Sequence, residues 1–287
     1  MNKWLVSIGK QVADLSYLNR DLMNLIYRQG TIDINSTSFY LFLGDLHGNI
    51  KASIILAIRL QFLFNIPLQA VFQVGDFGFW PSGIIAKNED KHYKKGDSLD
   101  LYEIQNSAYY RDFFILGIEE IDTLSAPIYF IRGNHEDFHN LNLLSQNKPS
   151  EVVPGIYFIP DCFQGVIENL HLLALGGIIT DLDRGKGKKA KVEFKKSQQK
   201  LMVDPRLSSG ALFLGLPTKT TTTDIVITHS GLASREDRDG SKQLESYLYN
   251  SAIPLHFYGH HHRFSLGNVG KNTFSIGLRN LEFVSCG

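Results

Sequence analysis

The chain has 287 residues, 29 Lys+Arg against 29 Asp+Glu, and a formal net charge of zero. A hydrophobic share of 43% with 20% charged residues excludes intrinsic disorder, and the length allows one large domain or two small ones with a substantial core. Two cysteines, Cys162 and Cys286, make no disulfide framework, so a reducing cytoplasm is the expected location.

In chain order, Leu5, Ile8, Val12, Leu15, Leu22 and Ile26 recur close to a helical period, so residues 1–36 are expected to form a helical extension packed on the domain. Trp4-Leu5-Val6 is too short a run for a secretory core. Residues 37–287 are expected to form one domain, since no low-complexity linker or composition break divides them. Phe39-Tyr40-Leu41-Phe42-Leu43 is a β-rich run ending in Gly-Asp, and a helix-like stretch around Ile54, Ile58 and Phe62 follows. Lys51, Arg59, Gln61 and Asn65 interrupt the apolar stretch at 50–72, which argues against a membrane span. Ala70-Val71-Phe72-Gln73-Val74 again ends in Gly-Asp, and Ile128-Tyr129-Phe130-Ile131 ends in Arg-Gly-Asn-His. Ile225-Val226-Ile227 leads to Thr-His-Ser-Gly, and Leu255-His256-Phe257-Tyr258 to Gly-His-His-His. Apolar strands alternating with helical stretches predict an α/β fold with covered sheet faces. Residues 156–177 read as a hairpin with Gly165 and Asn169 as turn signals, and residues 263–284 read similarly, with signals at Gly267-Asn268 and Gly270. Insertions at about 80–101 and 181–223 leave or adjoin strand carboxyl ends, the edge that holds ligands in α/β folds.

The strand ends gather Asp45 and His47, Asp76, Asn134 and His135, His229, and His260 and His262. Where the chain remains extended, the i, i+2 pairs 45/47 and 260/262 would each point to one side. Glycine precedes the polar residue at Gly44, Gly75, Gly133 and Gly259, which permits a sharp turn and close approach of backbone to an ion. Carboxylates, one amide oxygen and several imidazoles without a thiolate suit Mn, Fe, Zn or Ni, with Mn or Fe favoured, over Mg, Ca or a structural zinc. Such a set exceeds one tetrahedral ion and matches two ions sharing a carboxylate, roughly 3.5–4 Å apart.

Gly44-Asp45-Leu46-His47-Gly48, Gly75-Asp76, Gly133-Asn134-His135-Glu136, Thr228-His229 and Gly259-His260-His261-His262 resemble, in order, the five motifs of the calcineurin-like metallophosphoesterase superfamily, across about residues 38–264. The resemblance implies a four-layer αββα sandwich with mixed sheets and a dinuclear metal site at the strand carboxyl ends. Carried over by position, Asp45, His47 and His262 would hold one metal, Asn134, His229 and His260 the second, and Asp76 would bridge them. It further implies a two-metal-bridged hydroxide as nucleophile and His135 as general acid toward a phosphomonoester or phosphodiester. The protein Ser/Thr phosphatase branch carries an acid and an Arg three and four positions after the bridging Asp, where this chain has Phe79 and Trp80. The acid that would orient the catalytic His is therefore missing there, while Arg132 matches that branch and is expected to hold a phosphoryl oxygen. A phosphodiesterase or a nucleotide/nucleic-acid phosphatase is favoured. The alternatives are a protein Ser/Thr-type phosphatase or a non-catalytic scaffold of the same fold.

Several residues have a plainer reading. His261 should point away from its neighbours, His256 is expected to be a hydrogen-bonded core histidine, and His139 to sit on a helix surface; His92 and His171 follow no pattern. Phe77, Phe79 and Trp80 are either an apolar wall for a base or leaving group, or core packing. Gly185-Lys186-Gly187-Lys188-Lys189-Ala190 fits a dinucleotide fingerprint in letters but ends no strand, so it is set aside. Residues 184–200 hold eight cations against Glu193 alone, a net of +7 that leaves −7 elsewhere, so zero net charge excludes no anionic partner. The segment is either a solvated loop or a basic arm for a nucleotide or nucleic acid.

Overall fold

The computed structural model describes residues 39–64, 68–83, 90, 92–106, 124, 126–144, 147–179, 200–202, 213–215, 223–235 and 240–280, all within one unit, Phe39–Gly287. The helical extension expected over 1–36 lies outside the described residues, as does the basic segment 184–200 apart from Lys200.

Each of the five apolar runs forms a strand, and together they seed two mixed sheets. The first contains β1 (Phe39–Leu43), β2 (Leu68–Gln73), β3 (Ile128–Phe130), β4 (Ser150–Val153) and β5 (Ile156–Phe158), in the order β1-β2-β3-β5-β4. All neighbours are parallel except β4, which returns antiparallel to β5. Within the second insertion, β8 (Lys200–Met202) and β9 (Phe213–Gly215) pair as an antiparallel ribbon. The second sheet contains β6 (Phe163–Ile167), β7 (Leu170–Leu175), β10 (Ile225–Thr228), β11 (Leu255–Tyr258), β12 (Ser265–Val269) and β13 (Thr273–Gly277). Its order is β12-β13-β11-β10-β7-β6, with a parallel centre and both edges antiparallel.

Period-two alternation assigns each strand residue to a layer. Leu43, Val71, Ile128, Phe130, Ile156 and Phe158 pack against Ile50, Ile54, Ala57 and Ile58 of α1 (Ile50–Phe64), Leu101 and Ile104 of α2 (Asp100–Asn106), and Leu141 of α3 (Phe138–Leu144). Between the sheets, Phe42 stacks on Phe257 at 3.8 Å with ring planes 2° apart. Tyr40 donates its hydroxyl to the Glu168 carbonyl at 2.6 Å, a further tie across that interface. Leu173, Leu175 and Val226 face outward onto Leu244 and Leu248 of α4 (Lys242–Asn250), which Ser241 caps by accepting from the Leu244 N–H at 3.2 Å. Helix, sheet, sheet, helix is the αββα sandwich that the motifs imply.

Two turn expectations are corrected. Gly165 lies inside β6, and the β6–β7 turn is Glu168-Asn169, with φ of 46° and 68°, the left-handed pair of a two-residue hairpin loop. Residues 156–177 are therefore not one hairpin, because β5 joins the first sheet while β6 and β7 join the second. Gly267-Asn268 likewise sits within β12, and the chain reverses at Gly270, where φ is 64°.

Candidate metal centre

The loops after β1, β2, β3, β10 and β11 interlock through backbone bonds. The N–H groups of Leu46 and His47 both donate to the Asp76 carbonyl, at 3.0 and 2.9 Å. Oδ1 of Asp76 accepts from the N–H groups of Asn134 and His135 at 2.6 and 2.8 Å. The Asp45 carboxylate accepts from the His260 N–H at 3.1 Å to each oxygen. The glycines admit neighbouring protein: a Cβ on Gly75, whose φ is 101°, would collide with the His229 ring, and one on Gly133 with Asp76. At both turns the neighbouring motif approaches closely.

Four candidate ligands are in the left-handed region: His47 (φ 46°), Asp76 (52°), His260 (71°) and His262 (52°). The chain is therefore not extended there, and pleat parity does not decide where these side chains go. His260 and His262 separate, one into each of two groups. Asp45, His47, Asp76 and His262 offer atoms within 4.8 Å of one another, as do Asp76, His229 and His260, and either group could hold a metal ion. In the first, Nε2 of His262 is 3.0 Å from Oδ2 of Asp45 and 3.2 Å from Nε2 of His47. In the second, Nε2 of His229 is 3.0 Å from Oδ1 of Asn134 and 3.4 Å from Oδ1 of Asp76. Non-glycine residues with positive φ carry about 1–3 kcal/mol of strain and concentrate at functional sites.

The donor set fits a cation. Nδ1 of His229 lies 3.0 Å from the Val74 carbonyl, which can only accept, so Nδ1 carries a proton and Nε2 is the ring nitrogen turned to the site. Nε2 faces the oxygens of Asn134 and Asp76, so the three atoms converge on a position that suits a positive charge. Burial, reinforced by His229, pushes His260 down to about 2, so its imidazole is neutral and free to ligate. Burial acts to raise the Asp76 carboxyl, but His229, His135 and His47 outweigh it and hold the group below its ordinary range.

Arg132 does not join this cluster. Its side chain is 1% exposed, with Nη2 2.8 Å from Oδ2 of Asp161 and the guanidinium 5.2 Å from the Phe138 ring centre. Burial weakens both charges of that pair, lowering Arg132 and raising Asp161 from their ordinary values. The expected grip on a phosphoryl oxygen finds no support in this geometry. Phe77, Phe79 and Trp80 are buried as well. Phe77 and Phe79 stack on Phe130 at 4.2 and 6.0 Å, and Trp80 meets Tyr93 edge-on, so they are core rather than a binding wall.

The remaining histidines fall into place. His256 is buried between the Thr228 hydroxyl at 2.9 Å and the Ser275 hydroxyl at 2.8 Å, a hydrogen-bonded core residue. Nε2 of His261 accepts from the Gly231 N–H at 3.2 Å, behind the ligands. His139 and His171 are exposed, and His92 packs edge-on against Phe138.

Three supporting residues stand outside the candidate set. Gln73, inside an apolar run, uses its amide to bond Gly44 and Gly75, pinning the first two turns together. Glu136 accepts from the Phe77 and Phe79 N–H groups at 2.8 and 2.6 Å, while burial and Asp76 push its carboxyl well up. Asp97, in the first insertion, forms a third group with His47 and His135. Burial acts to raise it, but His135 and His47 draw it down to about 2.

No curated protein matches the chain. Among the described residues, no helix is long and apolar enough to cross a membrane. The model of the calcineurin-like phosphoesterase family matches residues 40–264, which include all five strand-end motifs. Family match, mixed two-sheet sandwich and metal-competent Asp/His groups agree, and the chain belongs to the calcineurin-like phosphoesterase family, whose chemistry is metal-dependent phosphoester hydrolysis.

Proposed function

We propose that this protein is a two-metal phosphoesterase in which Asp45, His47 and His262 hold one ion, Asn134, His229 and His260 hold the second, and Asp76 is shared. The supporting observation is the division of the Asp76 carboxylate. Its Oδ2 is 4.0 Å from Nε2 of His47 in one group, and its Oδ1 is 3.4 Å from Nε2 of His229 in the other. When bound, such an ion pair supplies Lewis acidity that neutralises phosphoryl oxygens and makes water a competent nucleophile near neutral pH. His135 protonates the leaving oxygen as its bond to phosphorus breaks. Its backbone N–H is tied to Asp76, which keeps the acid at the edge of the ligand cluster.

A phosphodiester, nucleotide or nucleic-acid substrate is favoured over a phosphoprotein. Position 79 is a buried Phe rather than an acid, and Arg132 is paired with Asp161. A non-catalytic scaffold fits less well, since every candidate ligand and His135 are present. The mixed nitrogen and oxygen donors favour Mn or Fe, and the low cysteine content supports a cytoplasmic location.

The test is to strip the protein of metal, reconstitute it with Mn²⁺, Fe²⁺, Zn²⁺ or Ni²⁺, and compare an aryl phosphomonoester, an aryl phosphodiester, dinucleotides, and short RNA and DNA. Turnover of a diester or nucleotide is expected, and no turnover with any metal would sink the reading. The +7 segment at 184–200 adds a salt arm. If it recruits polyanions, oligonucleotide turnover falls steeply with salt while aryl phosphate turnover barely responds.

A further inference from the structure

Asp97 lies outside the proposed ligand set, yet it stands between two imidazoles of that site. Its Oδ1 is 3.4 Å from Nδ1 of His47, and its Oδ2 is 3.7 Å from Nδ1 of His135. Both nitrogens are buried, and neither has a hydrogen-bond partner among the described residues. The Asp97 side chain is 5% exposed and accepts from the Lys94 N–H at 3.2 Å through Oδ2. Two orphaned donors and one carboxylate with capacity for both make a complementary set. Charge-assisted bonds close at about 2.7–2.9 Å, and such contacts at reacting sites are commonly longer before substrate binds.

The placement is built rather than incidental. The Ser98 N–H donates to the His47 carbonyl at 2.8 Å, and a side chain on Gly48 would strike the Ser98 carbonyl. The Tyr93 hydroxyl donates to the Asp97 carbonyl at 2.6 Å. Asp100 accepts from the Lys51 N–H at 2.9 Å and from the Ser98 hydroxyl at 2.7 Å, which ties the same segment to the start of α1. Residues 93–100 are thus clamped to the loop that carries His47.

We infer that Asp97 is a positioning residue shared by His135 and His47. By accepting Nδ1–H from both rings, it leaves Nε2 of His47 as a lone pair for the first ligand group and Nε2 of His135 as the proton-donating atom. The inference rests on the phosphoesterase reading and deepens it: the acid absent at position 79 comes from the first insertion instead. In the bond-breaking step the His135 imidazolium passes its Nε2 proton to the leaving oxygen as the phosphorus–oxygen bond breaks. The Nδ1 proton stays on the ring, facing Asp97, and a neutral imidazole remains.

Two measurements test it. In the metal-free full-length protein, nitrogen NMR of the imidazoles should show Nδ1 of His47 and His135 protonated. An Nε2–H tautomer on either neutral ring would overturn the inference. With metal restored to equal content in both proteins by elemental analysis, Asp97→Asn should be compared with the unaltered protein on a phosphodiester with a nitrophenol leaving group, which needs no proton, and on one with an alkyl alcohol leaving group, which does. We expect kcat on the alkyl substrate to fall by about 10²-fold or more, a much smaller loss on the aryl substrate, and little change in KM. Equal losses on both substrates, or an unchanged alkyl kcat, would overturn it. Should the unaltered protein hydrolyse neither substrate with any metal, the phosphoesterase reading fails, and the NMR measurement still decides the role of Asp97.

Discussion

The backbone N–H of His135 donates to Oδ1 of Asp76 at 2.8 Å, so the proposed proton donor is tied directly to the proposed shared ligand. Replacing Asp76 with Asn keeps an acceptor oxygen for that bond but removes the negative charge both ligand groups use. Asp76→Asn is therefore expected to remain folded, to retain less than one ion per chain by elemental analysis, and to lose more than ~100-fold in activity. Retention of both ions would remove Asp76 from the shared position.

His135 is expected to act on the leaving group and not on the metals. His135→Ala should lower kcat by roughly 10²–10⁴-fold while metal content by elemental analysis stays that of the unaltered protein. If the substitution strips the metals, His135 is a ligand and its role is misassigned.

Much of this arrangement was legible from residue order. The five apolar runs became strands because alternating residues face a helix on one side and the other sheet on the opposite side, and the motif residues stand at their ends. What stayed hidden depends on pairings distant in the chain. Asp97 belongs to no periodic pattern and is placed by the bond from Ser98 to His47, some fifty residues upstream. Asp161, the partner of Arg132, likewise arrives from beyond β5. The left-handed backbone at His47, Asp76, His260 and His262 is equally invisible, since it is imposed by the interlocking turns against each residue's own preference.

Arg132 and Asp161 form a buried ion pair whose loss is measurable. Arg132→Met leaves Asp161 buried and uncompensated, which should cost about 3–5 kcal/mol, and adding Asp161→Leu should recover much of it. Denaturant melts measure both effects. KM in the double variant should stay near that of the unaltered protein; a large rise in KM would return Arg132 to the phosphate site.

His256 makes acid stability pH-dependent. Burial, followed by the nearby Arg235 charge, lowers it from 6.5 to about 3 in the folded protein, so between those values the unfolded chain binds the extra proton. Stability is therefore intact above about pH 6.5 and declines as pH falls, with a limiting slope near 1.4 kcal/mol per pH unit from this one group. His256→Gln should flatten that part of the profile in denaturant titrations between pH 6.5 and 4. An unchanged slope would show that His256 is protonated in the fold.

Glu136 braces the second motif loop by accepting from the Phe77 and Phe79 N–H groups. Glu136→Gln turns an amide donor toward one of those N–H groups. It should lower stability by about 1–3 kcal/mol in denaturant melts and weaken metal retention with it.

In the proposed centre Asp76 divides its oxygens between two ion sites. Elemental analysis of the reconstituted protein, run beside aryl phosphodiester hydrolysis, tests it most directly. About two ions per chain are expected, with turnover that rises as the second ion binds. Saturation at a single ion with full turnover would contradict it.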